Sequence, residues 1–107
     1  MESILAKEAK ERIDANPDAV IVDVRRPKEF AVNRIPGAIS IPVYEIEDNA
    51  EDILTDYDAE IFVYCQSGPR SIKAGLILEE LGYTNVVSLG GIERWPYEID
   101  QQPMPIE

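Results

Sequence analysis

At 107 residues the chain has room for one domain, 1–107, with one real core. A formal charge of −11, from 21 acidic against 10 basic residues, argues against nucleic acid or an anionic membrane surface as partner, and no apolar run approaches the length of a membrane span. There is no histidine and a single cysteine, which removes Cys–His and Ser–His–Asp catalysis, histidine-ligated zinc, an internal disulfide and an intramolecular dithiol cycle.

In chain order, Met1-Glu2-Ser3 lacks the basic and apolar regions of a secretory signal, and a sole thiol fits a reduced, cytoplasmic compartment. Ala6, Ala9 and Ile13 recur at helical spacing, and Asn16-Pro17-Asp18 stops that helix. Ala19–Val22 is apolar without alternation and reads as a strand buried on both faces. Pro27 can start a short helix through Phe30 and Val32. Pro36-Gly37 is a turn, and Ile39-Ser40-Ile41 a short strand stopped by Pro42. Between Val43 and Asp58 a short helix ending near Leu54 is expected. The acidic stretch Glu45–Glu60 lacks the glycine and closing glutamate of a calcium loop and reads as a solvated surface; no metal site is expected.

Ile61–Tyr64 is a further buried strand, and Cys65-Gln66-Ser67-Gly68-Pro69-Arg70-Ser71 follows it directly. Ala74, Ile77, Leu78 and Leu81 then form one helical stripe, which Gly82 caps, and Gly75 within it implies close packing. Val86–Leu89 is another strand, and Gly90-Gly91 turns into a short segment around Trp95. Strands alternating with helices predict an α/β fold, a central parallel sheet flanked by helices on both faces. Ligands in such folds bind beyond the carboxyl ends of the strands, where Cys65 falls.

A lone cysteine is more often a small core residue than a nucleophile. The residues after Cys65 change that balance. Gly68 permits close backbone approach or positive φ, and Pro69 suits a first helical position. The unpaired amides and dipole of the first helical turn favour an anion, and Arg70 adds a cation nearby. Cys65 is thus the candidate nucleophile, and Gln66, Ser67, Gly68, Pro69, Arg70 and Ser71 the candidate substrate-binding loop. Local positive potential, rather than global charge, must attract an anionic substrate.

Four separated segments then resemble one family. Asp23-Val24-Arg25-Arg26-Pro27-Lys28-Glu29-Phe30 resembles its D-V-R-x-P-x-E-F segment, and Ile35-Pro36-Gly37-Ala38-Ile39-Ser40-Ile41-Pro42 its I-P-G-A-x-x-I-P. Cys65–Ser71 resembles its C-x-S-G-x-R-S active loop. Leu81-Gly82-Tyr83, Val86, Leu89-Gly90-Gly91-Ile92 and Trp95 resemble its C-terminal signature. The family is that of single-domain rhodaneses, which are sulfurtransferases.

The resemblance implies that Cys65 takes a sulfane sulfur from a donor such as thiosulfate and holds it as a persulfide. Cyanide or a thiol then accepts the sulfur, without a cofactor. A protein donor or acceptor is equally compatible, as in a persulfide carrier or a binding module.

The chain departs from the family at two places. Gln66 stands where many members carry a basic residue, which should weaken attraction to a dianion. Asn33-Arg34 replaces the usual Gly-His, Asn33 being expected to tolerate the left-handed conformation and Arg34 to serve structure. Asp23 and Arg25 are expected to ion-pair at the strand ends. Related phosphatases and arsenate reductases use a longer loop than the C-x4-R spacing here.

Overall fold

The computed structural model describes residues 1–101. Its elements are β1 (Glu2–Ser3), α1 (Ala6–Ala15), β2 (Val20–Asp23), α2 (Pro27–Val32), β3 (Asn33–Arg34) and β4 (Ile39–Ser40), then α3 (Ile46–Ile53), β5 (Ile61–Cys65), α4 (Pro69–Glu80), β6 (Val86–Gly91) and β7 (Asp100–Gln101). Short 3₁₀ turns at Val43–Glu45 and Ile92–Arg94 precede α3 and follow β6.

Five strands form one parallel sheet in the order β1-β6-β5-β2-β4. The strand β5 lies at its centre and is buried along its whole length, as its unbroken apolar run requires. Its side chains alternate between two cores. Ile61, Val63 and Cys65 pack with Ala50 of α3 and with Ala74 and Leu78 of α4. Phe62 and Tyr64 face the other way, toward Ala9 of α1, Val87, Leu89 and Trp95. Helices therefore cover both faces, as the alternating pattern predicted.

Two details position the site. The β5–β6 register shifts after Val63, which pairs with Ser88 while Tyr64 pairs with Gly90. This bulge at Leu89 brings Gly91 beside Cys65. The helix α4 ends in a Schellman turn. Gly82 takes φ +107°, its N–H bonds Glu79 O at 3.0 Å, and the Tyr83 N–H bonds Leu78 O at 3.1 Å.

The small β3–β7 ladder is antiparallel and lies outside the main sheet. It corrects the reading of Asn33, which is extended at φ −154° and ψ 155° rather than left-handed. Pairing with Gln101 gives that backbone a ladder, which an extended chain satisfies without glycine. Arg34 donates to Phe30 O at 3.1 Å and lies over the Phe30 ring, so it closes the carboxyl end of α2.

Candidate active site

Cys65 is the last residue of β5 and has no exposed surface. Its Sγ accepts the Gly68 N–H at 3.0 Å. Gly68 precedes α4 with φ +133° and ψ −41°, a conformation that L side chains rarely adopt. Pro69 occupies the first turn, and α4 has no side-chain cap. The amides of Gln66, Ser67 and Arg70 meet no backbone acceptor among the described residues. They leave the sulfur under a loop of uncommitted donors, the arrangement that suits an anion at a helix N-terminus.

The loop is fastened at both ends. Glu93 N–H donates to Gln66 O at 3.3 Å. Ser71 Oγ donates to Gly68 O at 2.6 Å and lies 2.9 Å from Ser88 Oγ, which in turn accepts the Gly90 N–H at 3.2 Å. With Ser88 donating to Ser71, each hydroxyl donates once and accepts once. Ser71 is buried, so its hydroxyl holds the loop's own carbonyl instead of facing the mouth. Gly91 lies directly beneath. A Cβ there would meet Gln66 O at 2.3 Å and Ser67 Cα at 2.6 Å, both backbone atoms.

Arg70 is near Cys65 but is not a free cation. Its Nη1 and Nη2 reach Glu29 Oε1 and Oε2 at 2.9 and 3.3 Å. Arg70 holds the Glu29 carboxyl below the usual carboxylate range. The same Glu29 Oε1 accepts the Arg26 N–H at 3.0 Å and so caps α2. The positive potential expected from Arg70 is therefore largely cancelled.

This pair stands between two clefts. One, of about 400 Å³, is lined by Val24, Arg26, Glu29, Val43, Tyr44 and Arg70. The other, of about 410 Å³, is lined by Arg25, Lys28, Glu29, Val32, Asn33 and Gln66. Arg25 forms the expected pair with Asp23, Nη2 to Oδ2 at 2.7 Å, and both are buried. Its Nη1 also reaches Asn33 Oδ1 at 3.1 Å and Gln66 Oε1 at 3.3 Å.

The seven predicted site residues thus lie on one turn, with Cys65 buried and Gln66 and Arg70 at the mouth. Glu29, Ser88 and Gly91 were not among them. Glu29 and Gly91 belong to the segments that resemble the family and Ser88 does not, but only the folded chain brings all three to the loop.

The Rhodanese-like domain family profile matches residues 5–97. The chain belongs to the rhodanese-like family. It is 36% identical over 72 residues to thiosulfate sulfurtransferase PspE of Escherichia coli, covering 67% of this chain and 69% of that protein. It is 37% identical over 86 residues to a sulfurtransferase of Allochromatium vinosum, covering 79% and 78%. The solved structure of a rhodanese-related protein from Thermoplasma volcanium superposes with a TM-score of 0.80 at 30% identity, covering 94% of this chain and 98% of that one. These rhodanese-like relatives place the chain among the sulfurtransferases.

Proposed function

We propose that this rhodanese-like chain transfers sulfane sulfur through a persulfide on Cys65. With thiosulfate, the Cys65 thiolate attacks the outer sulfur. A Cys–S bond to that sulfur forms, the bond to the sulfonate sulfur breaks, and its electron pair leaves with sulfite. The product Cys–S–S⁻ keeps a negative charge at the same place. Cyanide or a thiolate then attacks the terminal sulfur, and the electron pair returns to the Cys65 sulfur. No proton need be supplied to the leaving sulfite, consistent with a chain without histidine. This is covalent catalysis in two half-reactions.

The observation that carries this reading is the Cys65 Sγ bonded to the Gly68 N–H under amides of Gln66, Ser67 and Arg70 that have no backbone acceptor among the described residues. Those donors suit both the thiolate and the persulfide. Gln66 and Arg70 border the entrance, Gly68 and Pro69 shape the turn, Ser67 lends its amide, and Ser71 holds the loop. A protein persulfide as donor, or a protein thiol as acceptor, would use the same atoms. A curated relative at 31% identity is named as a putative sulfur carrier protein, which makes that carrier role the second reading. Phosphoryl transfer is disfavoured, because Arg70 of the short loop is engaged by Glu29 rather than free for a phosphoryl group.

Intact mass after exposure to sulfane donors tests the proposal. The protein should gain the mass of one sulfur atom from thiosulfate or a protein persulfide, and Cys65→Ser should gain none. Cyanide or excess thiol should restore the starting mass. Cys65-dependent release of phosphate from an aryl phosphate, with no sulfur adduct from any donor, would replace this reading by a phosphatase.

A further inference from the structure

The Glu29 carboxylate has no part in the transfer chemistry above, yet it stands at the entrance. Both its oxygens face the Arg70 guanidinium, and it lines both clefts beside the loop. Each cleft also includes one residue of the Cys65 loop, Arg70 in the first and Gln66 in the second, so an anion held in either lies against this group. The pair is only half-exposed, with 35% and 30% of the Arg70 and Glu29 side chains accessible, so its charges are incompletely screened. Arg26 N–H also holds the carboxylate at 3.0 Å, so turning it away from Arg70 breaks a helix cap as well.

A dianion entering here has two courses. It can displace Glu29 from Arg70, or it can sit beside an ion pair of zero net charge with a carboxylate oxygen exposed to it. The first course costs the ion pair and the α2 cap whatever the donor's charge, and the second is worse for two negative charges than for one or none. Nothing at the neighbouring loop position compensates, because Gln66 is neutral and its Oε1 is already directed to Arg25.

We propose that Glu29 is a specificity-determining residue that sets the charge class of the sulfur donor. It disfavours dianions such as thiosulfate relative to donors whose reactive end carries one negative charge or none, including thiosulfonates and thiol-bound persulfides. The inference deepens the sulfurtransferase reading and rests on it for its activity arm alone.

Two measurements test it. The first compares kcat/KM for thiosulfate with that for benzenethiosulfonate, an analogue with one charge fewer, using cyanide as acceptor. Glu29→Gln removes the charge and keeps an oxygen for the Arg26 N–H. It should raise the thiosulfate-to-thiosulfonate ratio about tenfold at low salt, with the gain shrinking as salt is added. Glu29→Ala should move the ratio the same way. The second measurement uses calorimetry in a Cys65→Ser background, where no sulfur moves. There Glu29→Gln should bind thiosulfate about tenfold more tightly.

An unchanged ratio, or equal gains with both donors, would overturn the proposal, as would unchanged thiosulfate affinity. Should no donor pass sulfur to the wild-type protein, the sulfurtransferase reading falls, and the binding comparison still decides the role of Glu29.

Discussion

Gly91 shows how one missing atom shapes the site. Its backbone, φ −125° and ψ 146°, is open to any residue. Its lack of a side chain serves the loop above it, whose Gln66 carbonyl and Ser67 Cα occupy the Cβ position. Neither is the far end of a flexible side chain, so Gly91→Ala must lift the loop off β6. We expect a cost of about 1–3 kcal/mol for the overpacking and a loss of sulfur transfer much larger than the loss of folded protein. Thermal melts beside single-turnover transfer rates check this; wild-type rates in the variant would show that the loop need not rest on Gly91. The paired glycines were legible as a break in the pattern, although they close β6 rather than form the expected turn. Their second function was not, because it depends on a bulge that realigns β6 against β5 and on a loop crossing from another segment. Gly75 was read correctly as a point of close packing, and its neighbour proves to be the Met1 thioether.

At the scale of elements, the helix α4 is fastened to β6 by the hydroxyls of Ser71 and Ser88. Both side chains are buried, and each is the other's partner at 2.9 Å. Removing one leaves a buried polar group short of a bond, which costs about 1–3 kcal/mol. Removing both leaves fewer orphans than the sum of the two changes. Ser71→Ala and Ser88→Ala should therefore each destabilise the protein, and the double variant should cost less than their sum by at least about 0.5 kcal/mol. A denaturant double-mutant cycle measures this coupling, and strict additivity would contradict a connected chain. The positions of α1, α2, α4 and the longer strands were readable from periodicity, proline and glycine. The two-residue strands β1, β3 and β7 were not, since so short a segment has no period and is a strand only by virtue of its partner.

Across the whole molecule, tyrosine hydroxyls join segments distant in sequence. Tyr64 Oη on β5 accepts the Ile35 N–H at 3.1 Å, and Tyr83 Oη donates to Leu54 O at 2.6 Å. Burial first, and then the Asp23 charge, push the Tyr64 phenol well above its ordinary value. Burial also raises Tyr83, and the hydrogen bond to Glu51 pushes Tyr57 up to about 12. In each case the folded state prefers the neutral phenol. The stability this contributes is complete below about pH 10, where unfolded tyrosine ionises, and is lost as pH rises from there through the folded values. Alkaline titration should show Tyr57, Tyr64 and Tyr83 ionising late among the five tyrosines, with Tyr64 ionising only as the circular dichroism of the sheet collapses. Ionisation of all five near pH 10 in a still-folded protein would contradict this.

The sequence by itself determined the class of the fold, because unbroken apolar strands alternating with striped helices can bury their surfaces only as a covered parallel sheet. It also determined the candidate nucleophile, since the cysteine, the glycine and the proline that shape its turn are consecutive. Tertiary structure alone decided the electrostatics of the entrance. Glu29 and Arg70 lie far apart along the chain, and Arg70 read by itself was a free cation waiting for an anion. Charge effects depend on distances through space, and folding places a carboxylate at 2.9 Å from that guanidinium, which leaves Arg70 paired rather than free.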